Sequence, residues 1–107
     1  MKQNNLYLLL LILLMFFPLW HSIAAEKFTL SGIIKNKENG EALIGAIFST
    51  KGVKPVGAVS NAYGFYSLTL IEGKYIVQAQ YLGYKTQLDT ILVDRSQIIN
   101  IELIPEP

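Results

Sequence analysis

The stretch SNAYGFYSL at residues 60–68 decides the fold class of this chain. Its first half is a polar turn in which Gly64 supplies a positive φ, a conformation that residues with a Cβ rarely adopt. Its second half places Tyr66 and Leu68 on one side of the backbone and Ser67 on the other, which is the period-two pattern of a half-buried β-strand. A polar turn that leads directly into such a strand predicts a small antiparallel β-protein.

The same period of two continues along most of the chain. Residues 75–81 show it most clearly, with every second side chain apolar and predicted to face inward. Further short runs occupy residues 28–34, 46–50, 56–60, 88–92 (with Leu88, Thr90 and Leu92 on one face) and 99–103. Turn signals such as Asn39-Gly40 separate the runs. The pattern predicts an all-β fold, a seven-stranded antiparallel β-sandwich.

The first 25 residues have the layout of a secretory signal peptide. Lys2 precedes an apolar run from Leu6 to Trp20, and small residues end the segment at Ala24 and Ala25. The run is shorter than the ~20 residues of a spanning helix, although an uncleaved anchor stays open as the alternative. We predict a signal peptide helix in residues 1–25, cleaved after Ala24 or Ala25, and one β-domain in residues 26–107. The protein is then exported to the periplasm, the outer membrane or the medium.

Composition excludes several classes of function. Once Lys2 is set aside, eight of the nine Lys and Arg residues remain against eight Asp and Glu. Such a balance gives no electrostatic basis for binding nucleic acid. The chain has no cysteine, and its one histidine, His21, lies in the leader. Residues 26–107 therefore lack the usual general base and the strongest nucleophile, and we predict that the domain is not an enzyme.

Four motifs resemble those of the carboxypeptidase regulatory-like domain, a transthyretin-like sandwich. In chain order they are Ser31-Gly32-Ile33-Ile34, the element from Glu41 to Ala46, the turn from Ser60 to Tyr66, and the pair Gly83-Tyr84. The resemblance extends from about Phe28 to Leu103. It departs from the family pattern at Ala42 and Ile44, where proline is frequent, and at Asn61, where aspartate is commoner. It implies a prealbumin-like Greek-key topology.

The resemblance also implies a cellular context. Similar domains commonly follow a signal peptide at the N-terminus of TonB-dependent outer-membrane receptors of the Bacteroidota. By resemblance, we expect a non-catalytic interaction or structural module of the cell envelope that associates with the membrane only through such a receptor. Its partner would be an envelope protein or a glycan, recognised through exposed turns or an unpaired strand edge. A stand-alone domain and a truncated receptor module both stay open.

Aromatic residues in turns supply the candidate contact residues. Tyr63, Phe65 and Tyr84 are predicted to form an exposed patch, while the three tyrosines on predicted inward faces are assigned to the core. If the patch stacks against sugar rings, the domain is a secreted carbohydrate-binding module. This is the second hypothesis for its function.

Two further chemistries find weaker support in the residues. Asn61 and Gly64 lack the flanking aspartates of a calcium loop, so we predict no metal site and no cofactor. Lys27 or Lys35 on the first strand could approach Asn100 on the last, as in the Lys–Asn isopeptide bond of collagen-adhesin B-type domains. Residues 80–84 lack both the Glu and the Pro of that family's motif, so we expect a surface lysine and a solvated asparagine instead.

Overall fold

The computed structural model describes residues 2–16 and 25–107. Its elements are α1 Lys2–Phe16, β1 Lys27–Asn36, β2 Ile47–Thr50, β3 Gly57–Val59, β4 Phe65–Ile71, β5 Gly73–Gln80, β6 Gln87–Val93, β7 Gln97–Ile98 and β8 Ile101–Leu103. Within the described ranges, no helix has the length and hydrophobicity of a membrane span. The predicted cleavage after Ala24 or Ala25 borders residues 17–24, which lie outside the described residues. The signal peptide stays a prediction.

Two sheets form a β-sandwich, which confirms the predicted fold class. The first sheet has β1 at its centre, with β4 antiparallel on one side and both β7 and β8 parallel on the other. The second sheet is antiparallel throughout, in the order β3-β2-β5-β6. β7 and β8 lie end to end along β1 and correspond to the single last strand that the sequence predicts. They run parallel to β1, unlike the predicted antiparallel pairing, because they arrive from the other sheet and not through a hairpin with β1.

The core lies between the sheets and follows the predicted alternation. Every second residue of β4 is buried, beginning with Tyr66, and the residues between them are exposed. The Tyr66 ring packs on Phe48 of the other sheet, with 4.6 Å between ring centroids. All members of the buried apolar cluster lie between Leu30 and Leu103. Residues 26–107 thus contain every strand of the described part of the chain, together with the buried apolar cluster that an autonomous domain requires.

The strand β6 is present where the sequence predicts it, but the residues that indicate it lie on its exposed face. Leu88 and Leu92 point to solvent, whereas Ile91 and Val93 are buried in the core. Apolar residues occupy both faces of residues 91–93, so alternation alone does not choose the inward side. The register with β5, which sets Ile91 opposite Tyr75, makes that choice.

Gly32 allows a close approach between the first and last strands. A Cβ built on Gly32 would overlap the carbonyl oxygen of Ile99, the residue that follows β7. Ile99 is fixed there by two hydrogen bonds. Its N–H donates to the Ser31 carbonyl at 2.7 Å, and its carbonyl accepts the Tyr66 hydroxyl proton at 2.6 Å. The missing side chain at position 32 is therefore a packing requirement.

We expect Gly32→Ala to lower the free energy of unfolding by about 3 kcal/mol, or to prevent folding, because an added methyl group has no room beside the Ile99 backbone. Urea unfolding of the β-domain measures the change. Ser31→Ala, next to it on the outer face of β1, is the control and should stay within about 1 kcal/mol of the wild type. Equal stability of the two variants would contradict the packing role.

Candidate functional site

The serine that opens the 60–68 stretch is engaged in structure. The buried Ser60 hydroxyl accepts the Ala46 N–H at 2.9 Å and donates to the Leu43 carbonyl at 2.6 Å. These bonds fix the segment that leads into β2, where Gly45 takes a positive φ of 84°. Residues 44–45 form a turn at this point. The Ser60 hydroxyl thus has a structural role, with its proton donated to one backbone group and its oxygen accepting from another.

The next residue, Asn61, shapes the turn itself. Its Oδ1 accepts the N–H of Tyr63 at 2.9 Å and the N–H of Phe65 at 3.1 Å. Gly64 closes the turn with a φ of 77°. In the described residues, no cluster of three or more His, Cys, Asp or Glu side chains could hold a metal ion. Asn61 and Gly64 shape the polar turn that the sequence predicts. It carries the chain from β3 in the second sheet to β4 in the first, so it connects the two sheets and is not a hairpin.

The three predicted contact residues take different positions. Tyr63 is 81% exposed and Phe65 is 44% exposed, and both belong to the same turn at the start of β4. Tyr84 is half-buried and packs against the core cluster. Its ring lies 5.3 Å from that of Tyr81 in an edge-on arrangement, and its hydroxyl accepts a hydrogen bond from Asn36 Nδ2 at 3.0 Å. Only Tyr63 and Phe65 remain as neighbouring exposed rings.

The hydroxyl of Tyr66 has a perturbed acidity. Burial raises the pKa of Tyr66 from 10.0 to about 12, because the phenolate would lose its hydration in the core. The protonated form is also the one that donates to the Ile99 carbonyl. The group therefore acts as a structural hydrogen-bond donor.

We expect the stability of the domain to fall as the pH rises from about 10 towards 12. In this window the unfolded state has already lost the Tyr66 proton while the folded state retains it, so deprotonation favours unfolding. Thermal unfolding at a series of pH values measures the fall. Tyr66→Phe should be less stable at neutral pH, since the Ile99 carbonyl loses its donor, and should show a shallower decline above pH 10. An identical decline in both proteins would refute the assignment.

The Asn100 side chain is hydrogen-bonded to the backbone of β1, which differs from the Lys–Asn pairing of an isopeptide bond. Its Oδ1 accepts the N–H of Ile33 at 3.0 Å. Lys35 lies opposite Glu102 and is exposed, and Lys27 is paired with Ile71 at the far end of β1. The Asn100 side chain thus links β1 to the last strand at the break between β7 and β8.

The strand β6 presents an unpaired backbone edge. Lys51 donates its N–H to the Ile76 carbonyl at 2.8 Å, so the backbone groups of Ile76 point towards β2. By alternation, residues 75, 77 and 79 point towards β6, where they meet residues 91, 89 and 87. The backbone groups of the intervening residues, Leu88, Thr90 and Leu92, therefore point out of the sheet.

Two side chains cap part of this edge. Asp89 Oδ1 accepts the Thr90 N–H at 2.8 Å, and Gln97 Nε2 donates to the Leu92 carbonyl at 2.9 Å. Such capping is a common way for a protein to limit unwanted pairing of an edge strand. It leaves the backbone groups of Leu88, the Thr90 carbonyl and the Leu92 N–H available at the edge.

A cavity of about 90 Å³ adjoins the β6 edge on the inner side of the sandwich. Its walls are formed by core residues that include Phe48, Val77 and Ile101, and polar residues Gln87, Asp89 and Asn100 line it as well. Apolar cavities of about 150 Å³ can hold a benzene molecule, so this smaller one suits a single aliphatic side chain. The family resemblance implies an unpaired strand edge without indicating which strand provides it. The sequence feature that could have indicated this edge is the pair of polar residues Gln87 and Asp89, which occupy inward positions of β6.

The chain belongs to the carboxypeptidase regulatory-like domain family. The model of the CarboxypepD_reg-like domain matches residues 30–107. This confirms the family that the four motifs indicate. None of the curated proteins matches the chain.

Solved structures share the fold at low identity. A DUF3823 family protein from Parabacteroides merdae has a TM-score of 0.59 at 17% identity, with 77% of this chain and 48% of that chain covered. A DUF3823 family protein from Bacteroides ovatus has a TM-score of 0.58 at 21% identity, covering 75% and 45%. This chain therefore spans about half the length of these two proteins. Chlorocatechol 1,2-dioxygenase from Pseudomonas putida has a TM-score of 0.60 at 8% identity, covering 82% and 63%. These likenesses show the fold alone.

Proposed function

We propose that this carboxypeptidase regulatory-like domain is a non-catalytic interaction module of the cell envelope that binds a protein partner through the open edge of β6. The observation that carries the proposal is the unpaired edge at Leu88, Thr90 and Leu92, beside a small cavity lined by core residues together with Gln87, Asp89 and Asn100. An extended partner segment can pair with these backbone groups and place one aliphatic side chain in the cavity. The absence of His and Cys from residues 26–107 agrees with a binding role.

The envelope setting is supported by the predicted leader and by the family. The apolar run from Leu6 to Trp20 is typical of exported proteins. Relatives at the N-terminus of TonB-dependent receptors would use such a module in nutrient uptake at the outer membrane. In this proposal the domain works in the periplasm or at the cell surface, and it meets the membrane only through a receptor.

The edge caps have a function in this mechanism. In the free domain, Asp89 and Gln97 satisfy one N–H and one carbonyl of β6 and so oppose pairing between two copies of the chain. An incoming strand displaces both side chains and replaces their bonds with backbone bonds. Binding is then selective for segments that also fill the cavity, because pairing alone only exchanges one set of hydrogen bonds for another.

A library of random dodecapeptides displayed on phage tests the proposal. We expect peptides selected on the β-domain to alternate apolar and polar residues and to bind Leu88→Pro about tenfold more weakly, since proline removes one edge N–H. Leu88→Ala keeps that N–H and is the matched control for the lost side chain. Ser67→Pro removes a backbone N–H from the outer edge of β4, where the backbone groups of Ser67 point away from β1. This variant should leave binding unchanged. Equal binding to Leu88→Pro and Leu88→Ala would exclude pairing at β6.

The exposed rings of Tyr63 and Phe65 favour carbohydrate binding as a second candidate function. Two neighbouring rings can stack against a sugar, whereas Tyr84 is half-buried and contacts Tyr81 and Asn36. On a glycan array, we expect any binding to be abolished by Tyr63→Ala and retained by Tyr63→Phe, which keeps the ring. If the β-domain binds no glycan, this function is rejected and the β6 proposal is unaffected.

A further inference from the structure

The outer face of the second sheet carries five aliphatic side chains that are between 43% and 63% exposed: Ile47, Val59, Ile76, Leu88 and Leu92. We call the last three the aliphatic face. A sheet face that meets water ordinarily carries polar residues. The outer face of the first sheet mixes both kinds, with Thr29 opposite Thr69 and Ser31 opposite Ser67 beside the exposed Phe65, Ile71 and Ile98.

The strand register separates Ile47 and Val59 from the aliphatic face. These two residues lie opposite each other, but Ile47 also lies opposite Gln80, which is four residues along β5 from Ile76. Ile76 lies opposite Thr90, so it is the diagonal neighbour of both Leu88 and Leu92, at about 7–8 Å between Cα atoms. Exposed apolar residues that occur singly need no explanation, but a contiguous set on one flat face indicates an interaction surface.

The charges on this face are all positive. Lys74 lies at an outward position of β5. Lys51 lies on the same face, because the hydrogen bond from its N–H to the Ile76 carbonyl places it directly opposite Ile76. None of the eight carboxylates stands at an outward position of this sheet. Asp89 lies on the inward side of β6, Glu102 lies on the first sheet, and the other six lie in turns or near the ends of the β-domain.

We propose that the aliphatic face docks an acidic protein surface, one with aliphatic side chains at its centre and Asp or Glu at its rim. Lys51 and Lys74 would pair with the acidic rim, and Ile76 would lie near the centre of the contact. Charged residues at an interface rim fix orientation and partner choice, while the apolar centre supplies most of the affinity.

Charge and composition disfavour the other occupants. A symmetric dimer through this face would bring Lys51 and Lys74 of both copies together with no carboxylate to pair with them. A lipid surface is ordinarily anchored by Trp and Tyr, and the outward positions of this sheet carry no aromatic residue. An acidic protein surface satisfies both the lysines and the aliphatic residues.

This inference rests on the proposed function, because it names the chemistry of the partner that the module would bind. Leu88 and Leu92 belong to both surfaces, since their backbone groups form the β6 edge and their side chains form part of the aliphatic face. A partner strand on β6 would thus lie beside the aliphatic face. Substitutions at Ile76 and Lys74 leave the edge groups of β6 intact, so the two surfaces can be tested separately.

The test selects binders to the β-domain from a display library built on one stable scaffold, with ten or so exposed positions varied among acidic, basic and aliphatic residues. Clones that lose binding to Ile76→Ser, but keep binding to Ile98→Ser, are assigned to the aliphatic face. Ile98 is 80% exposed on the other sheet and is the matched control. We expect the assigned clones to be rich in Asp, Glu and aliphatic residues. They should bind Lys74→Glu about tenfold more weakly and weaken as salt increases.

Three results would overturn the inference. The first is that the assigned clones are neutral or basic, or that no clone is assigned to this face. The second is co-sedimentation with vesicles containing about 30% phosphatidylglycerol that Lys74→Glu abolishes, which would make an anionic lipid surface the occupant. The third is a dimer in sedimentation velocity that Ile76→Ser dissociates. The two proposals can fail separately. If Leu88→Pro weakens binding of the selected dodecapeptides while one of these three results is obtained, the β6 proposal is retained and only the acidic partner of the aliphatic face is rejected.

Discussion

The contact of Ile99 with Gly32 and Tyr66 is the constraint on which the sandwich depends. Ile99 lies between the two short strands that run along β1, and its backbone is bonded on both sides, to Ser31 and to the Tyr66 hydroxyl. The absence of a side chain at Gly32 brings the last strand close to β1. Tyr66 then links this strand to the core through its ring, which packs on Phe48 of the opposite sheet. The closing strand, the central strand and the second sheet thus meet at one point.

The same closing strand determines where the molecule can bind. β7 and β8 complete the first sheet, but they leave an opening towards β6 on the second sheet, where polar residues replace the core residues expected at inward positions. Asp89 contributes to both the opening and the edge, because it occupies an inward position of β6 and its carboxylate caps an edge N–H. An edge strand that is only partly capped is stable in isolation and still able to accept a partner.

The grouping of aliphatic residues around Ile76 is visible only in the strand register. On the first sheet, the outward Ser and Thr pairs, with two threonine hydroxyls 3.0 Å apart, are flanked by the exposed Phe65 and Ile71. On the second sheet, Ile76 of β5 lies diagonally beside Leu88 and Leu92 of β6, and Lys51 and Lys74 border the three. Ile76 belongs to a different short run from the two leucines, and neither run is unusual in composition. The group forms only when the strands are aligned.

The sequence by itself determined the family, the β-sandwich and the turn formed by Asn61 and Gly64. Local alternation and glycine-dependent turns are properties of neighbouring residues, so they are visible in one dimension. It also determined that residues 26–107 contain no histidine or cysteine. Tertiary structure alone decided the inward face of β6, the parallel pairing of the last strands with β1 and the partial burial of Tyr84. Each of these depends on a partner distant in sequence, such as Asn36 for Tyr84, and alternation with a period of two cannot indicate which of two faces such a partner will cover.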